Sequence, residues 1–519
     1  MRRYPVSIQS FLNIITGDYL YVDKTGYVYN LAQQYKYVFL SRPRRFGKSL
    51  LTSTLEYYFA GRKDLFKGLQ ADKLEKEWNQ YPVLHFDMSG ATVSETAKLE
   101  RYLGDQLHDY ESKYDITDIS VDLNIRLKRL IQNAKAKTGM PVVVLIDEYD
   151  KPLLDVLSDN TKLDEVRLVM RNFYSPLKTC EEDLRFVFIT GITKFSQLSI
   201  FSELNTLENI SMDSEYAAIC GITEEEMFSV FDEGISDMAE ENEMTKDECI
   251  HELAINYDGY HFSKKSPDIY NPFSLLQALK NKNIGYYWFS SATPTFLISQ
   301  MKRFGVQPKN LGPQRAWESS FDAPTENMKS ITPLLYQSGY ITIKGYDRTT
   351  AEYTLDIPNR EVRAGLMESL IPYVAGEEEL IPAQQLISNM YRAFLNDDFD
   401  EVMELLKTFL GTIPQTDNVS KDYEGYYQSL LYVLFSLMCR YVQVEVRTPR
   451  GRADIVLESP HKVYVIEIKL NGSSAKAMEQ INMKDYSERF VLCGKPIVNV
   501  GVNFSAETRN ISDWEVLTL

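Results

Sequence analysis

Four short apolar runs alternate with helical patterns in the amino-terminal part of the chain. They are Tyr37–Leu40, Val83–Asp87, Val142–Asp147 and Phe186–Thr190. Strands that alternate with helices predict a parallel sheet covered by helices on both faces. The pattern therefore predicts an α/β domain over residues 1–210, in which the first thirty residues lead into the sheet.

The pattern of polar and apolar positions changes after residue 210. Residues 211–365 begin with an amphipathic helix in which Thr223 and Glu226 fit a capping box. They end in an alternation over Leu335–Asp356 that is typical of a hairpin. We expect a helical lid or a winged-helix-like region here, followed by a helical linker over residues 366–420.

Residues 421–519 have a compact pattern of their own. A helix over EGYYQSLLYVLFSLMCRY precedes three strands, VQVEVR, ADIVLE and VYVIEIK. A second helix, SSAKAMEQINMKDYSERF, precedes the strand PIVNVGVNF. The predicted order is α-β-β-β-α-β, and the polar segment Gly411–Tyr423 marks the boundary before it.

Composition describes an ordinary folded chain with an acidic surface. Of 519 residues, 44% are hydrophobic and 25% are charged. The net charge of −17 argues against binding nucleic acid over the whole surface, so such a site must supply its own basic residues. The five cysteines lack metal-ligand spacing, which favours free thiols. We find no secretory leader and no membrane span, and we expect a cytoplasmic protein.

A phosphate-loop motif follows the first predicted strand. The segment FLSRPRRFGKSLLTSTL places a Gly-Lys-Ser triplet where a strand gives way to a helix, and Arg42 stands where the general pattern has glycine. Backbone N–H groups and the helix dipole favour phosphate there, with Lys48 on the β and γ phosphates and Ser49 on Mg²⁺. The alternative is a chance match at a helix start. The residues expected to contact the nucleotide are Arg44, Arg45, Phe46, Gly47, Lys48 and Ser49.

Two further strand ends carry polar residues that suit the same site. The apolar run VVVLIDEYDKPL ends in Asp147 and Glu148. We expect Asp147 to coordinate Mg²⁺ and Glu148 to act as the general base, although an acidic strand end can also cap a helix. In the segment RFVFITGITKF the apolar run ends at Thr190, and Lys194 follows four residues later. Either side chain could sense the γ-phosphate, and an ordinary turn at Gly191 is the alternative.

The carboxyl-terminal part contains a second acidic constellation. Asp454 lies on one predicted strand, and Glu467 and Lys469 share one face of the next. If these strands form a hairpin, the two carboxylates face each other and can bind Mg²⁺ or Mn²⁺, while Lys469 positions or deprotonates the attacking water. The alternative is a solvated edge strand, but VYVIEIK is otherwise apolar, which favours a central strand with a partnered or metal-bound acid.

Basic and aromatic groups complete the candidate surfaces. Arg447, Arg450 and Arg452 precede Asp454 and can supply local positive charge for nucleic acid, or they form a solvated turn. An aromatic cluster can stack on bases, but we favour a core role for it. Its members are Tyr257, Tyr260, His261, Phe262, Tyr270 and Phe273.

These motifs resemble known families over nearly the whole chain. RPRRFGKSLL, YVDKT, IDEYDKPL, TGITKFSQLSIFSELN, YDGYHFS, YNPFSLL and PNREVR resemble a bacterial AAA-ATPase-like family of uncharacterised proteins. The resemblance implies an ATP-binding domain of the additional-strand, STAND-like P-loop type. Arg42 belongs to that family pattern, so it does not count against nucleotide binding.

The carboxyl-terminal motif resembles the PD-(D/E)XK nuclease superfamily, with its restriction-endonuclease-like fold. The resemblance implies that Glu424 on the preceding helix is a further metal ligand. It also implies a role for Gln480, since a glutamine is common at this place in the exonuclease-like branch; Lys484 and Tyr486 lie nearby in the sequence. Ala453 stands where proline is usual, a variation that the superfamily commonly shows.

Together the motifs lead us to expect an ATP-binding and ATP-hydrolysing protein with a metal-dependent nuclease domain. Its expected partners are ATP and nucleic acid, with DNA favoured, and a homo-oligomer is in keeping with a STAND-like ATPase. A role in defence against foreign DNA or in control of mobile elements would suit it. The alternative is a nucleotide-dependent switch whose nuclease-like domain only binds a partner or nucleic acid. A small-molecule kinase lacks an identifiable acceptor site.

Overall fold

The computed structural model divides the chain into two compact units. Unit 1 comprises Met1–Trp288 and Arg315–Asn359, and unit 2 comprises Phe289–Gln314 and Arg360–Leu519. This division is coarser than the four predicted domains, whose boundaries stay predictions. The residues that the structure describes are 2–91, 95–194, 207–290, 295–325, 328–375, 380–412, 423–438, 441–448 and 451–519.

Unit 1 is built on a parallel five-stranded sheet, as the alternating pattern predicts. Its strands lie in the order β2-β3-β4-β1-β5, and every pair with a register is parallel. Strand β3 is buried along its whole length, which explains its uninterrupted apolar sequence. The strands are β1 (Tyr37–Ser41), β2 (Val83–Asp87), β3 (Val142–Asp147), β4 (Leu184–Gly191) and β5 (Glu208–Asn209).

Amphipathic helices join the strands of this sheet. In the helix Thr96–Lys113, for example, Leu99, Leu103 and Leu107 recur every four residues and are buried. Gly139 caps the carboxyl end of the helix Leu123–Thr138 in a left-handed conformation, with a φ of 72°. The helices from the amino terminus to β5 are Phe11–Thr16, Thr25–Gln34, Lys48–Phe59, Gln70–Leu74, Thr96–Lys113, Leu123–Thr138, Lys151–Leu154, Asn160–Tyr174 and Pro176–Thr179.

The middle of the chain is helical and includes the predicted hairpin. Thr223 and Glu226 form the predicted capping box at the start of the first helix. The aromatic cluster belongs largely to the interior, as favoured, since Tyr257, Tyr260 and Tyr270 are at most 1% exposed. The helices are Glu224–Glu241, Lys246–Tyr257, Pro272–Asn281, Tyr287–Ser290, Glu318–Phe321 and Thr332–Ser338. The strands are β6 (Ile222–Thr223), β7 (Ile269–Tyr270), β8 (Gln314–Ala316), β9 (Thr342–Asp347) and β10 (Glu352–Asp356).

Unit 2 contains a second five-stranded sheet, in which the strands follow the chain order. The predicted α-β-β-β-α-β order is confirmed, and a last strand, β15, extends it. Only β13 and β14 run parallel; the other neighbours are antiparallel. The strands are β11 (Tyr441–Thr448), β12 (Gly451–Glu458), β13 (Val463–Leu470), β14 (Ile497–Ser505) and β15 (Asn510–Thr518). The helices are Thr295–Phe304, Arg360–Ala375, Leu380–Leu395, Phe399–Thr412, Tyr423–Met438 and Ser474–Lys484.

None of the helices in the described part of the chain combines the length and the apolarity that a bilayer crossing requires.

Candidate functional site

The phosphate loop lies between β1 and the helix Lys48–Phe59. Gly47 has a φ of 91°, a left-handed conformation that favours glycine at this tight turn. Lys48 opens the helix with a buried side chain, and its ammonium donates to the carbonyl oxygens of Arg42 at 3.0 Å and Pro43 at 3.1 Å. The loop therefore holds its lysine by its own carbonyl groups.

The structure brings Lys48, Ser49 and Asp147 together at the carboxyl edge of the sheet. Asp147 ends β3 and is 4% exposed. Burial raises the pKa of this carboxyl, while a hydrogen bond from Ser49 and the charge of Lys48 lower it. A hydroxyl and a carboxylate side by side offer hard oxygen ligands that fit Mg²⁺. We refer to these three residues as the phosphate-loop site.

Glu148 follows Asp147 in a strained backbone conformation. Its φ of 51° is left-handed, which is uncommon for a residue other than glycine. Its N–H donates to a carboxylate oxygen of Asp147 at 2.9 Å. Partial burial raises the pKa of Glu148, and Lys48 opposes that rise. A carboxyl with a raised pKa is better suited to accept a proton near neutrality.

The two candidate sensors of the γ-phosphate, Thr190 and Lys194, form hydrogen bonds or ion pairs with other groups of the protein. Thr190 is fully buried at the end of β4 and donates to the carbonyl oxygen of Leu40 at 2.8 Å. The ammonium of Lys194 contacts both carboxylate oxygens of Asp322 at 2.5 Å. Each would have to exchange or share these partners in order to contact a γ-phosphate.

The loop arginines differ from one another in their surroundings. Arg42 is buried, and its guanidinium lies 4.2 Å from the centre of the Phe262 ring. Arg44 and Arg45 are exposed, and Arg45 lies over the ring of Phe273. The Arg42 guanidinium donates to the carbonyl oxygens of Ser41, Ser211, Tyr216 and Ala217, at 2.8–3.4 Å.

Phe46 belongs to the interior of unit 1. It is 1% exposed, and its ring packs edge-on against Tyr260 and Phe262, with ring centres 4.8 and 5.3 Å apart. An open apolar cavity adjoins the loop at Gly47, next to Phe46. Its lining includes Leu20, Tyr21, Gly47, Leu50, Ile219 and Gly221.

Two acidic groups near this edge escaped the sequence reasoning. Asp87 ends β2 and pairs in register with Asp147, so it is a further carboxylate at the same edge. Asp150 is buried and accepts hydrogen bonds from the N–H groups of Ile192 and Thr193, at 3.0 and 2.6 Å. The position of Asp87 at a strand end was a signal for it, whereas the role of Asp150 depends on a tertiary contact.

The carboxyl-terminal acids meet on the sheet of unit 2. The register between β12 and β13 ends at Ile455 and Ile466, and Asp454 and Glu467 are the next residues beyond that pair. The two carboxylates are close enough for the charge of Asp454 to act on Glu467. One carboxylate oxygen of Asp454 accepts the N–H of Ile468 at 2.7 Å. Lys469 donates to Glu467 Oε1 at 2.9 Å. We refer to Asp454, Glu467 and Lys469 as the carboxylate site.

Glu467 carries the clearest indication that this site suits a cation. The residue is 2% exposed, and its Oε2 is buried without a hydrogen-bond donor among the described residues. Burial and the charge of Asp454 raise the pKa of Glu467 to about 7. A buried carboxylate oxygen without a donor is costly, and a divalent metal bound to Glu467 would satisfy it.

Gln480, for which the resemblance implies a role, lies next to the carboxylate site together with Tyr486. Lys469 donates to Gln480 Oε1 at 2.8 Å, and the Gln480 amide donates to Glu467 Oε1 and, at 3.1 Å, to the Tyr486 hydroxyl. The amide therefore connects the lysine with its neighbouring acid. Among the described residues no three His, Cys, Asp or Glu side chains form a metal-binding group. Further ligands would come from Glu424, whose side chain lies outside the described ones, from backbone carbonyls or from water.

Some predicted neighbours of the carboxylate site can be placed only in part. Glu424 falls within the helix Tyr423–Met438, but its side chain lies outside the described ones, as does Arg450 as a whole. Arg447 and Arg452 are exposed on β11 and β12, and Arg452 contacts Glu445 at 3.1 Å.

Family models match both the amino-terminal and the carboxyl-terminal part of the chain. A family model described as Predicted AAA-ATPase matches residues 5–201, and one described as PD-(D/E)XK nuclease superfamily matches residues 422–514. A relative from Azotobacter chroococcum mcd 1, named "Uncharacterized protein in vnfD 5'region", is 34% identical over 526 residues. The alignment covers 100% of this chain and 99% of the relative.

The chain belongs to the AAA-ATPase-like family. Its carboxyl-terminal part is a PD-(D/E)XK nuclease superfamily domain. In this AAA-ATPase-like chain the family model over residues 5–201 includes the phosphate-loop site, and the nuclease superfamily model includes the carboxylate site.

Proposed function

We propose that this protein binds and hydrolyses ATP with Mg²⁺ and that it cleaves nucleic acid, DNA in the first place, with a divalent metal. The observation that carries the proposal is the presence of two assembled sites in one chain. Lys48, Ser49 and Asp147 converge at one sheet edge, and Asp454 and Glu467 interact on another sheet. Nucleotide turnover at the first site controls cleavage at the second.

At the phosphate-loop site, the protein's own groups bind and orient the triphosphate. Lys48 exchanges the loop carbonyls for β and γ phosphate oxygens, and Ser49 and Asp147 hold Mg²⁺. The bound Mg²⁺ neutralises charge on the phosphates. Glu148 takes the proton of the water that attacks the γ-phosphorus, and the bond to the bridging oxygen of ADP breaks. Thr190, Arg44 and Arg45 are further candidates for contact with the phosphates.

The apolar cavity beside Gly47 suits the base of the nucleotide. Its lining is mainly aliphatic and aromatic, from residues such as Leu20, Tyr21 and Leu50. Transfer of a flat heterocycle from water into such surroundings costs little free energy, provided that its polar edge faces solvent or the backbone. The cavity adjoins the loop that holds the phosphates, which supports a nucleotide rather than inorganic phosphate as ligand.

At the carboxylate site, Asp454 and Glu467 hold the metal, and Glu424 is a further candidate ligand. The metal supplies positive charge for the scissile phosphate. Lys469 orients the attacking water, and Gln480 fixes the Lys469 ammonium at 2.8 Å. Arg447 and Arg452 provide local positive charge for the nucleic-acid backbone in a chain of net charge −17.

A second candidate is a nucleotide-dependent switch whose nuclease-like domain binds nucleic acid or a protein without cutting. The strongly acidic composition favours it, because a nuclease must hold a polyanion.

For the first candidate we propose a role in defence against foreign DNA or in control of mobile elements, in the cytoplasm and as a homo-oligomer. Such a role requires a nuclease whose activity is held in check by a nucleotide.

A cleavage assay on the full chain separates these two candidates. Supercoiled, linear and single-stranded DNA and RNA are incubated with Mg²⁺ or Mn²⁺, with and without ATP. We expect cleavage that Asp454→Ala and Lys469→Ala abolish while ATP binding persists. Glu148→Gln should bind ATP without hydrolysing it. Equal cleavage by the wild type and both carboxylate-site variants would rule out this site, and no cleavage of any substrate would favour the switch.

A further inference from the structure

A segment from the middle of the chain is built into unit 2. Both of its flanks, Trp288 and Arg315, belong to unit 1, but residues 289–314 belong to unit 2. Within it a short 3₁₀ helix, Pro308–Leu311, packs against the helix Tyr423–Met438 that precedes the carboxylate site. Pro308 and Leu311 are buried, so they anchor Lys309 between them.

Lys309 makes two contacts near the carboxylate site. Its ammonium donates to Gln428 Oε1 at 2.7 Å and lies 3.4 Å from Glu445 Oε1. Its side chain is only 12% exposed. A lysine that is removed from water in this way keeps its charge at a cost unless acceptors surround it. Here the amide oxygen and the carboxylate are those acceptors.

The contact with Lys309 fixes the direction of the Gln428 amide. An ammonium group donates hydrogen bonds and accepts none, so Gln428 must turn its oxygen towards Lys309. Its NH₂ group then faces the other way and donates to Asp454 Oδ1 at 3.1 Å. With Lys309 absent, the amide could turn over and place its oxygen against the carboxylate, which is repulsive. Lys309 thereby keeps the Gln428 amide in the orientation that donates to Asp454.

Glu445 explains the second contact of Lys309. Val444 pairs with Ile455 and Val446 with Ala453, so Glu445 lies on β11 next to the part of β12 that carries Asp454. The regular pairing is interrupted at Glu445 itself, whose φ is 53°. A carboxylate on the neighbouring strand that is left without a cationic partner would add negative charge beside the carboxylate site. Lys309 on one oxygen and Arg452 on the other, at 3.1 Å, offset the Glu445 charge.

We propose that Lys309 is a positioning residue of the carboxylate site, which acts on Asp454 through Gln428. The inference rests on the proposed function, because it assumes that Asp454 and Glu467 bind a divalent metal. Lys309 touches neither of these carboxylates directly. It holds the Gln428 amide in the one orientation that donates to Asp454, and it helps to neutralise Glu445 on the neighbouring strand.

The test measures Mn²⁺ binding to the nucleotide-free full chain by calorimetry and by electron paramagnetic resonance. Asp454→Ala defines the binding that does not belong to this site. We expect Lys309→Met to weaken the Asp454-dependent affinity by about 10-fold, the lower end of the usual cost of losing a group that supports a metal ligand. Gln428→Leu should have a similar effect. The double variant should be no weaker than either single variant, because both remove the same contact.

Matched controls separate positioning from general loss of a lysine. Lys495→Met removes a lysine of unit 2 that also contacts one carboxylate and one carbonyl group, Glu458 at 2.8 Å and Ser459 at 2.9 Å, and it should bind Mn²⁺ like the wild type. Lys309→Arg keeps a group that only donates and should retain the affinity. Lys309→Gln, which is similar in size to lysine but can also accept, should lose it. Thermal melts of each variant confirm folding.

Each outcome bears on a different claim. If the wild type takes up no Mn²⁺ that depends on Asp454, the proposed function and this inference both fail. If the wild type binds Mn²⁺ and a folded Lys309→Met or Lys309→Gln binds it equally well, only this inference fails. Additive losses in the double variant would also overturn it, because Lys309 would then act independently of Gln428.

Discussion

The two sites of this chain are assembled in different ways. In the phosphate-loop site the lysine is held by its own loop, through the carbonyl groups of Arg42 and Pro43. In the carboxylate site the acids lie on adjacent strands, but the groups that orient them come from elsewhere in the sequence. Gln428 lies on the preceding helix, and Lys309 comes from a segment whose flanks belong to the other unit.

This difference determines what a substitution can disturb. A change in the phosphate loop acts on neighbours that are close in sequence, since strand, loop and helix follow one another. A change at the carboxylate site acts on contacts that exist only after unit 2 has folded. The stability and the ligand binding of each site should therefore respond separately to substitution, even where nucleotide turnover at one site controls cleavage at the other.

Arg42→Gly gives the loop the general phosphate-loop pattern, yet we expect it to have the largest effect on stability. The change leaves buried carbonyl groups without their donors and opens a void beside Phe262. We expect the free energy of unfolding of unit 1 to fall by about 4 kcal/mol, as for the loss of a buried charged group and its hydrogen bonds. Urea denaturation measures it.

Arg348→Gly is the matched control for Arg42, because Arg348 is exposed in the turn between β9 and β10. It should shift the urea midpoint little. An unchanged midpoint for Arg42→Gly, together with tighter ATP binding, would show that the guanidinium does not stabilise the loop and competes with phosphate instead.

Lys48→Ala should remove ATP binding without affecting the carboxylate site. Loss of the buried ammonium should weaken ATP affinity by at least about 100-fold, which corresponds to ~3 kcal/mol. Titration with a fluorescent ATP analogue measures this loss, and Mn²⁺ uptake that depends on Asp454 should stay as in the wild type. Lys246→Ala, which removes a lysine paired with Asp232 in the middle region, is the control. A parallel loss of Mn²⁺ uptake in Lys48→Ala would contradict the separation of the two sites.

The sequence predicts the parts of each site that depend on local pattern. Strand, loop and helix around Gly47 follow from alternation and glycine, and the proximity of Asp454 to Glu467 follows from the hairpin between β12 and β13. The order of the strands in unit 2 was also predicted, except for β15. These features need only neighbours in the sequence or on an adjacent strand, which a pattern of residues can reveal.

The sequence does not predict contacts that join distant segments. Lys309 lies in the stretch VQPKNLGPQ, whose pattern predicts a polar loop and does not indicate a buried lysine. The acceptors of Arg42 lie in residues 211–217, so its interior role cannot be inferred from the loop alone. For the same reason the sequence does not predict that residues 289–314 belong to unit 2, since that membership depends on contacts with distant segments.

Asp513→Asn should have the smallest effect, and it tests how firmly unit 2 supports the carboxylate site. Asp513 accepts the N–H of Ser474 at 2.7 Å, at the start of the helix that carries Gln480. Burial raises the pKa of Asp513, but hydrogen bonds from Ser474, Asn503 and Ser512 outweigh burial and lower it to about 2. At neutral pH the free energy of unfolding of the variant should be lower than that of the wild type by about 1 kcal/mol. This is the value of a charge-assisted hydrogen bond, reduced because Asp513 is partly exposed.

The pH dependence of this loss follows from the direction of the Asp513 pKa shift. The folded-state pKa lies below the value of 3.8 that applies to the unfolded chain, so the stabilising effect is complete above about pH 4 and is lost as the pH falls towards 2. Melting temperatures of wild type and variant should therefore differ most at pH 5–7 and converge below pH 3. If the difference stayed constant over this range, the carboxylate charge would not be what holds the helix start. If Mn²⁺ affinity fell as far as in Lys309→Met, the support of the carboxylate site would extend through Gln480 and its helix as well as through Gln428.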